Sequence, residues 1–472
     1  GGEDKGEIRI DEKYGFEESF EGKVVPKLLI KERSEKIIKT RKKRNSQIDL
    51  DFSFGNYNSL SFQLNHRRNL KKMSYSFALD KKLGNKSRPN SKVDHNTFGG
   101  QLFSDKIDFA FEVNSNKFDL PGMINNPISG SARICNNYKF SFDIKTNKKL
   151  FFILKGENTN IKEQTSQKNQ SFNLKILYDF IKNKSPYTWT GEIEENKLKN
   201  KYNDTFYSFK LENRAISLNE KSHAKIGAGL SKEEGGKIYL NPNLRVFYKY
   251  NAIANLEAGL KRQDEKIEFY DLYGENNFSQ LNFSPLKRIN YWQIYSKAFM
   301  RLDNNTLLDA KIFHDWIENF VVFDDDEVNP DGFWMPINLK NVQKDGIRIS
   351  CLKKILPEIS GEVDYQYLIM WNGDKSQTVP LQSNGFSAVI KYDNPLFQLS
   401  IDGKYKGKRY YDKDSNEKLG GYFLLGYLIE KPVSEKLTFY AKGSNILDKK
   451  YEIIKSYPGE RAKFLMGCKY NF

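Results

Sequence analysis

The last twelve residues, Arg461-Ala-Lys-Phe-Leu-Met-Gly-Cys-Lys-Tyr-Asn-Phe472, decide the fold. Side chains of a strand alternate between two faces, so Phe464, Met466, Cys468, Tyr470 and Phe472 fall on one side. Lys463, Leu465, Gly467, Lys469 and Asn471 fall on the other. A strand between lipid and a watery lumen needs that split. Ending the chain on an aromatic of the apolar face marks a barrel-closing strand of an outer membrane, with Phe464, Met466, Tyr470 and Phe472 on the lipid side.

One alternating strand also suits a soluble sandwich, so the pattern has to recur. It does. Phe397, Leu399, Ile401 and Tyr405 oppose Gln398, Ser400, Asp402 and Lys404; Val363, Tyr365, Tyr367 and Ile369 oppose Glu362, Asp364 and Gln366. Ile107, Phe109, Phe111 and Val113 oppose Asp108 and Glu112, and Phe172, Leu174, Ile176, Tyr178 and Phe180 oppose Asn173, Lys175 and Asp179. Every charge in these segments lies on the non-aromatic face. A Lys or Arg turned to lipid at the bilayer midplane costs roughly 2–4 kcal/mol, which accounts for so strict a segregation.

A mean hydropathy of −0.69 and 29% charged residues look soluble. A membrane barrel shows lipid only every second residue, however, and fills its lumen and loops with polar groups. No run of 18 apolar residues exists to make a helical span. The 14% aromatic content suits interfacial girdles. The 472 residues show no linker that would divide them into soluble domains. Cys135, Cys351 and Cys468 are too few and too scattered for a disulfide framework or metal cluster, and Cys351 and Cys468 sit on apolar faces.

Read backwards from Phe472, short turns alternate with long connections. The short ones centre on Lys431 to Lys436, Asp393 to Pro395, Ile355 to Ser360, Asp303 to Asn305 and Tyr250 to Ala252, and continue to Ser104 to Asp105. The long ones are Asp448 to Glu460, Gly407 to Leu419, Trp371 to Asn384, Val322 to Lys344 and Gln263 to Asn290. Following the rhythm to Gln47 predicts an all-β fold: a closed antiparallel transmembrane β-barrel of about 22 strands, with short periplasmic turns and long extracellular loops. Residues 47–472 form the barrel, and residues 1–46 are a periplasmic linker or plug remnant.

From about Pro242 onward the chain also resembles the barrel of the TonB-dependent outer-membrane receptors, the family of cobalamin and ferric-siderophore transporters. The run Leu437-Thr-Phe-Tyr-Ala-Lys-Gly-Ser-Asn-Ile-Leu-Asp-Lys-Lys-Tyr451, then Tyr457-Pro-Gly-Glu-Arg461 and the final strand, is similar to that family's closing motif. Phe269-Tyr-Asp-Leu-Tyr273, Asn341-Val-Gln-Lys-Asp-Gly346 and Tyr405-Lys-Gly-Lys-Arg409 match earlier landmarks in order. The resemblance implies a monomeric, multi-pass outer-membrane protein that binds a metal chelate or another small molecule and works with the TonB complex if a plug is present. The family's N-terminal plug is the main departure. Gly6-Glu-Ile-Arg-Ile10 is read as its last strand and Glu17 to Lys23 as a linker.

The chemistry-bearing residues are sparse. His66, His95, His223 and His314 form no spaced set with Cys or paired carboxylates, which argues against an enzyme, a cofactor or a zinc centre. Asp324, Asp326 and Asn329 lie in an acidic run that offers oxygen ligands for calcium, but without EF-hand spacing; a solvated acidic loop is the preferred reading. Tyr270, Tyr273, Trp334 and Tyr410 fall at outer-loop positions where flat rings suit a bulky ligand, and Trp334 is the first choice. Trp371 and Tyr411 read as girdle residues. The net charge of +16 and pI near 9.2 raise nucleic acid as a partner, but no nucleic-acid module interrupts the strand rhythm. Anionic lipid headgroups or anionic solutes in the lumen are the better use of that charge.

Three functions remain open at this point: energised import of a large scarce ligand such as a siderophore–metal complex or cobalamin, a plugless passive diffusion pore, or a non-transporting surface-binding adhesin.

Overall fold

The computed structural model describes residues 46–472 except 86–91, 121, 124–125, 128–131, 147–148, 164–165, 183–184, 199–201, 234–235, 252, 268–271, 274–285, 326–333, 373–383 and 411–417. The expected plug strand at Gly6 to Ile10 and linker at Glu17 to Lys23 lie outside the described residues.

From Ser46 onward the chain is one antiparallel meander that closes on itself. Ser46–Gly55 pairs with Ser59–Asn69 on one side and with the last strand, Lys463–Asn471, on the other. The closing register sets Leu50 against Tyr470, Phe52 against Cys468 and Phe54 against Met466. The apolar face therefore continues unbroken across the seam, and Asp49, Asp51 and Ser53 meet Asn471, Lys469 and Gly467 on the other side. A one-residue slip would turn every charge of this strand toward lipid, so the segregation read from the sequence also fixes the register. Phe472 N–H donates to Ile48 O at 2.8 Å, which completes the ladder to the last residue. Closure matters because an open edge in hydrocarbon would leave backbone groups unpaired.

The sheet contains 23 strand segments, but Ile238–Leu240 and Asn243–Lys249 both pair with Ser222–Glu233 and are one strand interrupted at Asn241-Pro242. Pro242 has no N–H to give to the ladder. Asn241 bridges the gap through its own backbone, exchanging bonds with Gly229 at 2.7 and 2.9 Å. The barrel thus has 22 strands, as expected. Spacing of about 4.8 Å and a tilt of about 40° give it a backbone diameter on the order of 40 Å.

Outward apolar side chains of the four diagnostic segments are open to the surroundings, among them Val363, Tyr365, Tyr367, Ile369, Phe172, Tyr178, Ile107 and Ile401. Phe464, Met466 and Phe472 stand out from the closing strand, and the Tyr470 ring meets Phe472 edge-on at 4.5 Å. The inner face of the seam is polar. Tyr440 donates to Asp51 at 2.7 Å, and Lys469 pairs with Glu430 at 2.5 Å while lying 5.2 Å from the Tyr440 ring. Gly467 leaves room for that ring, because a Cβ there would stand 2.5 Å from Tyr440 Cζ and 2.3 Å from Phe52 O.

The wall is built differently on its two halves. Strands in the first half are long, such as the 17-residue Ser166–Lys182 and 16-residue Tyr202–Ser217, where about 9–11 residues cross a bilayer. Their outer connections are short. In the second half the strands shorten, to 9 residues in Gln398–Lys406 and Lys463–Asn471, and the outer connections lengthen. Three of those long connections are not plain loops. Phe320–Asp325 pairs with Trp334–Leu339, Arg409–Tyr410 with Lys418–Leu419, and Glu452–Ile454 with Tyr457–Pro458. The sequence expectation of one loop from Val322 to Lys344 is corrected accordingly, and the barrel strand resumes at Val342.

Candidate functional site

The three ribbons carry a small hydrophobic core of their own above the barrel rim. Trp334 is fully buried there with Leu419 and Tyr457, and Phe323 and Ile454 pack against them. Arg409 ties two ribbons together. Its Nη2 donates to Ile453 O at 3.0 Å and also to Glu452 O, and its guanidinium lies 5.4 Å from the Tyr422 ring. Tyr422 in turn meets Tyr451 at 4.2 Å, and burial pushes the Tyr451 hydroxyl up to about 12.

The last outer connection is pinned by the residues of the closing motif. Asn445 adopts a left-handed backbone, φ 48°, which Asn tolerates better than most residues. Its side chain donates to Lys449 O at 3.0 Å and Glu460 O at 2.8 Å and accepts from Lys449 N at 2.9 Å. Asp448 accepts from Arg461 Nε at 2.6 Å and Ala462 N at 3.0 Å. The Arg461 bond, then the Ala462 amide, hold the Asp448 carboxyl at about 2, below its ordinary 3.8. A depressed carboxyl contributes its stabilisation above pH 3.8 and loses it as pH falls to about 2. Pepsin cleavage within residues 445–462 should therefore rise from pH 4 to pH 2 more steeply in the unaltered chain than in Asp448→Asn, and equal profiles would contradict the clamp.

A second feature lies on the lumen side. Glu194, Asn196 and Leu198 are buried on the face opposite the exposed Ile193, so they point inward. Arg288 Nη2 donates to Glu194 at 2.5 Å, Lys266 pairs with the same carboxylate at 2.9 Å, and the Arg288 guanidinium covers the Phe206 ring at 4.1 Å. Arg133, fully buried, pairs with Glu163 and donates from Nη1 to Tyr273 O at 3.1 Å. Lys266, Tyr273 and Arg288 all belong to the connection between Ala254–Glu265 and Ile289–Asp303. Three strands separate that connection from Ser185–Leu198 and six separate it from Ala132–Lys145. Its described residues therefore reach into the mouth and rest on the inner wall. Pairing satisfies these charges where burial would otherwise expel them.

Further round the lumen, Lys311, Lys344 and Arg348 surround the buried Phe313 ring at 5.0, 5.3 and 5.6 Å. Asp315, buried below them, pairs with Lys344 at 2.9 Å and accepts from Gln293 at 2.7 Å.

Four predicted ring residues are thus distributed as follows. Trp334 and Tyr273 are fully buried, Tyr410 is half-buried with Lys418 Nζ 4.6 Å over its ring, and Tyr270 lies outside the described residues. The sequence places Trp334 at an outer-loop position; its neighbours instead form a ribbon that buries the indole against Leu419 and Tyr457. Asp324 is on that ribbon, and Asp326 and Asn329 lie outside the described residues. Among the described residues no group of three or more His, Cys, Asp or Glu is placed to hold a metal. Trp371 donates to Gln343 at 3.2 Å on the outward face, beside His314 and near Trp316, a girdle position; Tyr411 lies outside the described residues. Arg133, Glu194 and Arg288 were missed, although their inward parity near the outer strand ends marks them.

No family model matches the chain. Among curated proteins it is 27% identical over 176 residues to the vitamin B12 transporter BtuB of Vibrio vulnificus, covering 35% of this chain and 27% of that protein. BtuB of Photobacterium profundum is 24% identical over 148 residues, covering 31% and 24%. The chain spans about a quarter of the length of these curated relatives. Among solved structures, the siderophore receptor PirA of Acinetobacter baumannii superposes with a TM-score of 0.70 at 11% identity, over 92% of this chain and 81% of that one. A variant of the ferric enterobactin receptor PfeA of Pseudomonas aeruginosa gives 0.68 at 11%, over 90% and 80%.

The chain has the 22-strand barrel fold of these siderophore receptors, and about a third of it is similar in sequence to BtuB. In this barrel, which lies in the outer membrane, the long connections form the outer rim and both described ends of the sheet reach the periplasmic rim. The curated proteins it resembles are transporters by name, and the solved ones are receptors.

Proposed function

We propose that this receptor barrel imports a large scarce ligand, a siderophore–metal complex or cobalamin, as a monomer energised through TonB when a plug is supplied. The connection between Glu265 and Ile289, folded into the mouth and held by Arg133 and Arg288, carries the reading. A passive pore gains nothing from a buried ion cluster that narrows its mouth, whereas a receptor gains an inner wall for ligand contact. The outer ribbons above it form a braced rim, with Tyr410, Arg409 and Lys418 at its surface as candidate ligand contacts. Similarity to BtuB supports the same reading.

Growth tests it. A strain lacking the chain should grow more slowly when cobalamin or a ferric chelate is limiting, and recover when the nutrient is abundant. Normal growth on every limiting source would overturn import. Large steady single-channel conductance from the full-length protein would instead favour a diffusion pore.

A further inference from the structure

The outer wall of the first half carries a groove that the import reading does not use. It has a volume of about 530 Å³, inside the range of about 300–1,000 Å³ typical of ligand clefts. Register places its lining in two neighbouring rows. Phe140, Gly156, Phe172 and Glu195 form the lower row; Tyr138, Asn158, Gln170 and Lys197 form the upper one. The next row up holds Asn136, Asn160 and Lys168. All share the face on which Tyr138, Phe140 and Phe172 are exposed, so the groove opens outward, toward lipid. Gly156 shapes it by letting the Phe140 ring lie against the wall, since a Cβ there would stand 2.2 Å from Phe140 Cε1.

The rows also mark a height. Each strand residue climbs about 2.5 Å at a tilt of about 40°, so Asn158 stands about 20 Å above Leu150, near the outer edge of an apolar band about 25 Å tall. Below the groove the outward residues are Phe142, Leu154, Leu174 and Ile193. Above it they are Asn136, Asn160 and Lys168, then Ile134, Lys162 and Ser166. Lys162, Lys168 and Lys197 form no ion pair among the described residues; of the two acids in the lining, Glu157 pairs with Lys139 at 3.4 Å and Glu195 lies beside Phe172. The Asn158 Oδ1 atom is buried with no hydrogen-bond partner among the described residues, so it is placed to accept from a hydroxyl or amide. On the outer rim the three-residue connections 163–165 and 199–201 join the groove's later strands, and residues 120–131 lead into Ala132–Lys145.

We propose that this groove binds one phosphorylated, acylated glycolipid of the outer leaflet, with acyl chain against the Phe140 and Phe172 rings and phosphate toward Lys168 and Lys197. An apolar floor, an unmet acceptor and unpaired cations follow one another in the order in which such a lipid presents chain, linkage and headgroup.

Native mass spectrometry of the full chain in detergent tests this, with bisphosphorylated lipid A and its dephosphorylated form added at equal concentration. The expected result is a single adduct with the phosphorylated lipid, at least tenfold weaker with the dephosphorylated one. Replacing Lys168→Ala together with Lys197→Ala should weaken it to a similar extent, and Gly156→Leu should reduce it by driving the Phe140 ring off the wall into the groove. Equal binding of the two lipids to the unaltered chain, or no adduct, overturns the proposal whether or not a variant folds.

Discussion

Replacing Trp334→Ala is expected to dismantle the outer rim while leaving the barrel closed. The indole is fully buried and is the largest member of the core shared by the three ribbons. Truncating a buried Trp to Ala costs about 3–5 kcal/mol. That is most or all of what so small a core can supply, so the ribbons should open rather than tolerate the cavity. Proteinase K cleavage within residues 319–341, 407–421 and 445–462 should accelerate on the order of a hundredfold, since about 1.4 kcal/mol is tenfold in an opening equilibrium. Heat-dependent gel migration, which reports barrel closure, should not change. Cleavage confined to residues 319–341 would show that the ribbons do not share one core.

The second large effect is expected on the lumen side, from Arg288→Met. Methionine keeps much of the buried volume but leaves Glu194 with Lys266 and takes the Arg288 guanidinium away from Asp204. Breaking a buried pair costs about 3–5 kcal/mol, and the remaining lysine puts the expected loss near the lower end. The connection should then lift from the inner wall. Cys135 reports this well, being a fully buried thiol in no disulfide, on the inward face two residues from Arg133. Its labelling by a water-soluble maleimide should rise on the order of a hundredfold. Cys351 and Cys468 face outward and stay in the micelle. An unchanged Cys135 rate would mean that Arg288 does not hold this connection down.

The barrel was legible because its physics repeats at every strand. Alternation at Phe464 to Phe472, Val363 to Ile369 and Phe172 to Phe180 answers to one demand, lipid outside and water inside, and that demand also dictates closure and register. Turn spacing then supplied an even strand number. The candidate site was much less legible, since its contacts join distant residues with no periodic signature. Nothing local links Arg133 to Tyr273, 140 residues apart, or Arg288 to Glu194, 94 apart. Trp334 was assigned to an outer loop as a ligand contact, because the ribbons that bury it are set by pairing across residues the sequence leaves ambiguous. The alternation of Phe320, Val322 and Asp324 against Val321 and Phe323 was a faint sign of that ribbon. Pro242 in mid-strand was likewise a readable break.

Electron paramagnetic resonance accessibility of nitroxide labels along residues 463–471, in bilayers and in a background with the three cysteines replaced, tests the central claim most directly. Oxygen, which concentrates in hydrocarbon, should relax labels at 464, 466, 468 and 470, and a water-soluble nickel chelate should relax those at 465, 467 and 469. Two-residue alternation of opposite sign for the two reagents is the predicted result. Nickel access on both faces, or no alternation, would contradict a lipid-facing stripe around an aqueous lumen.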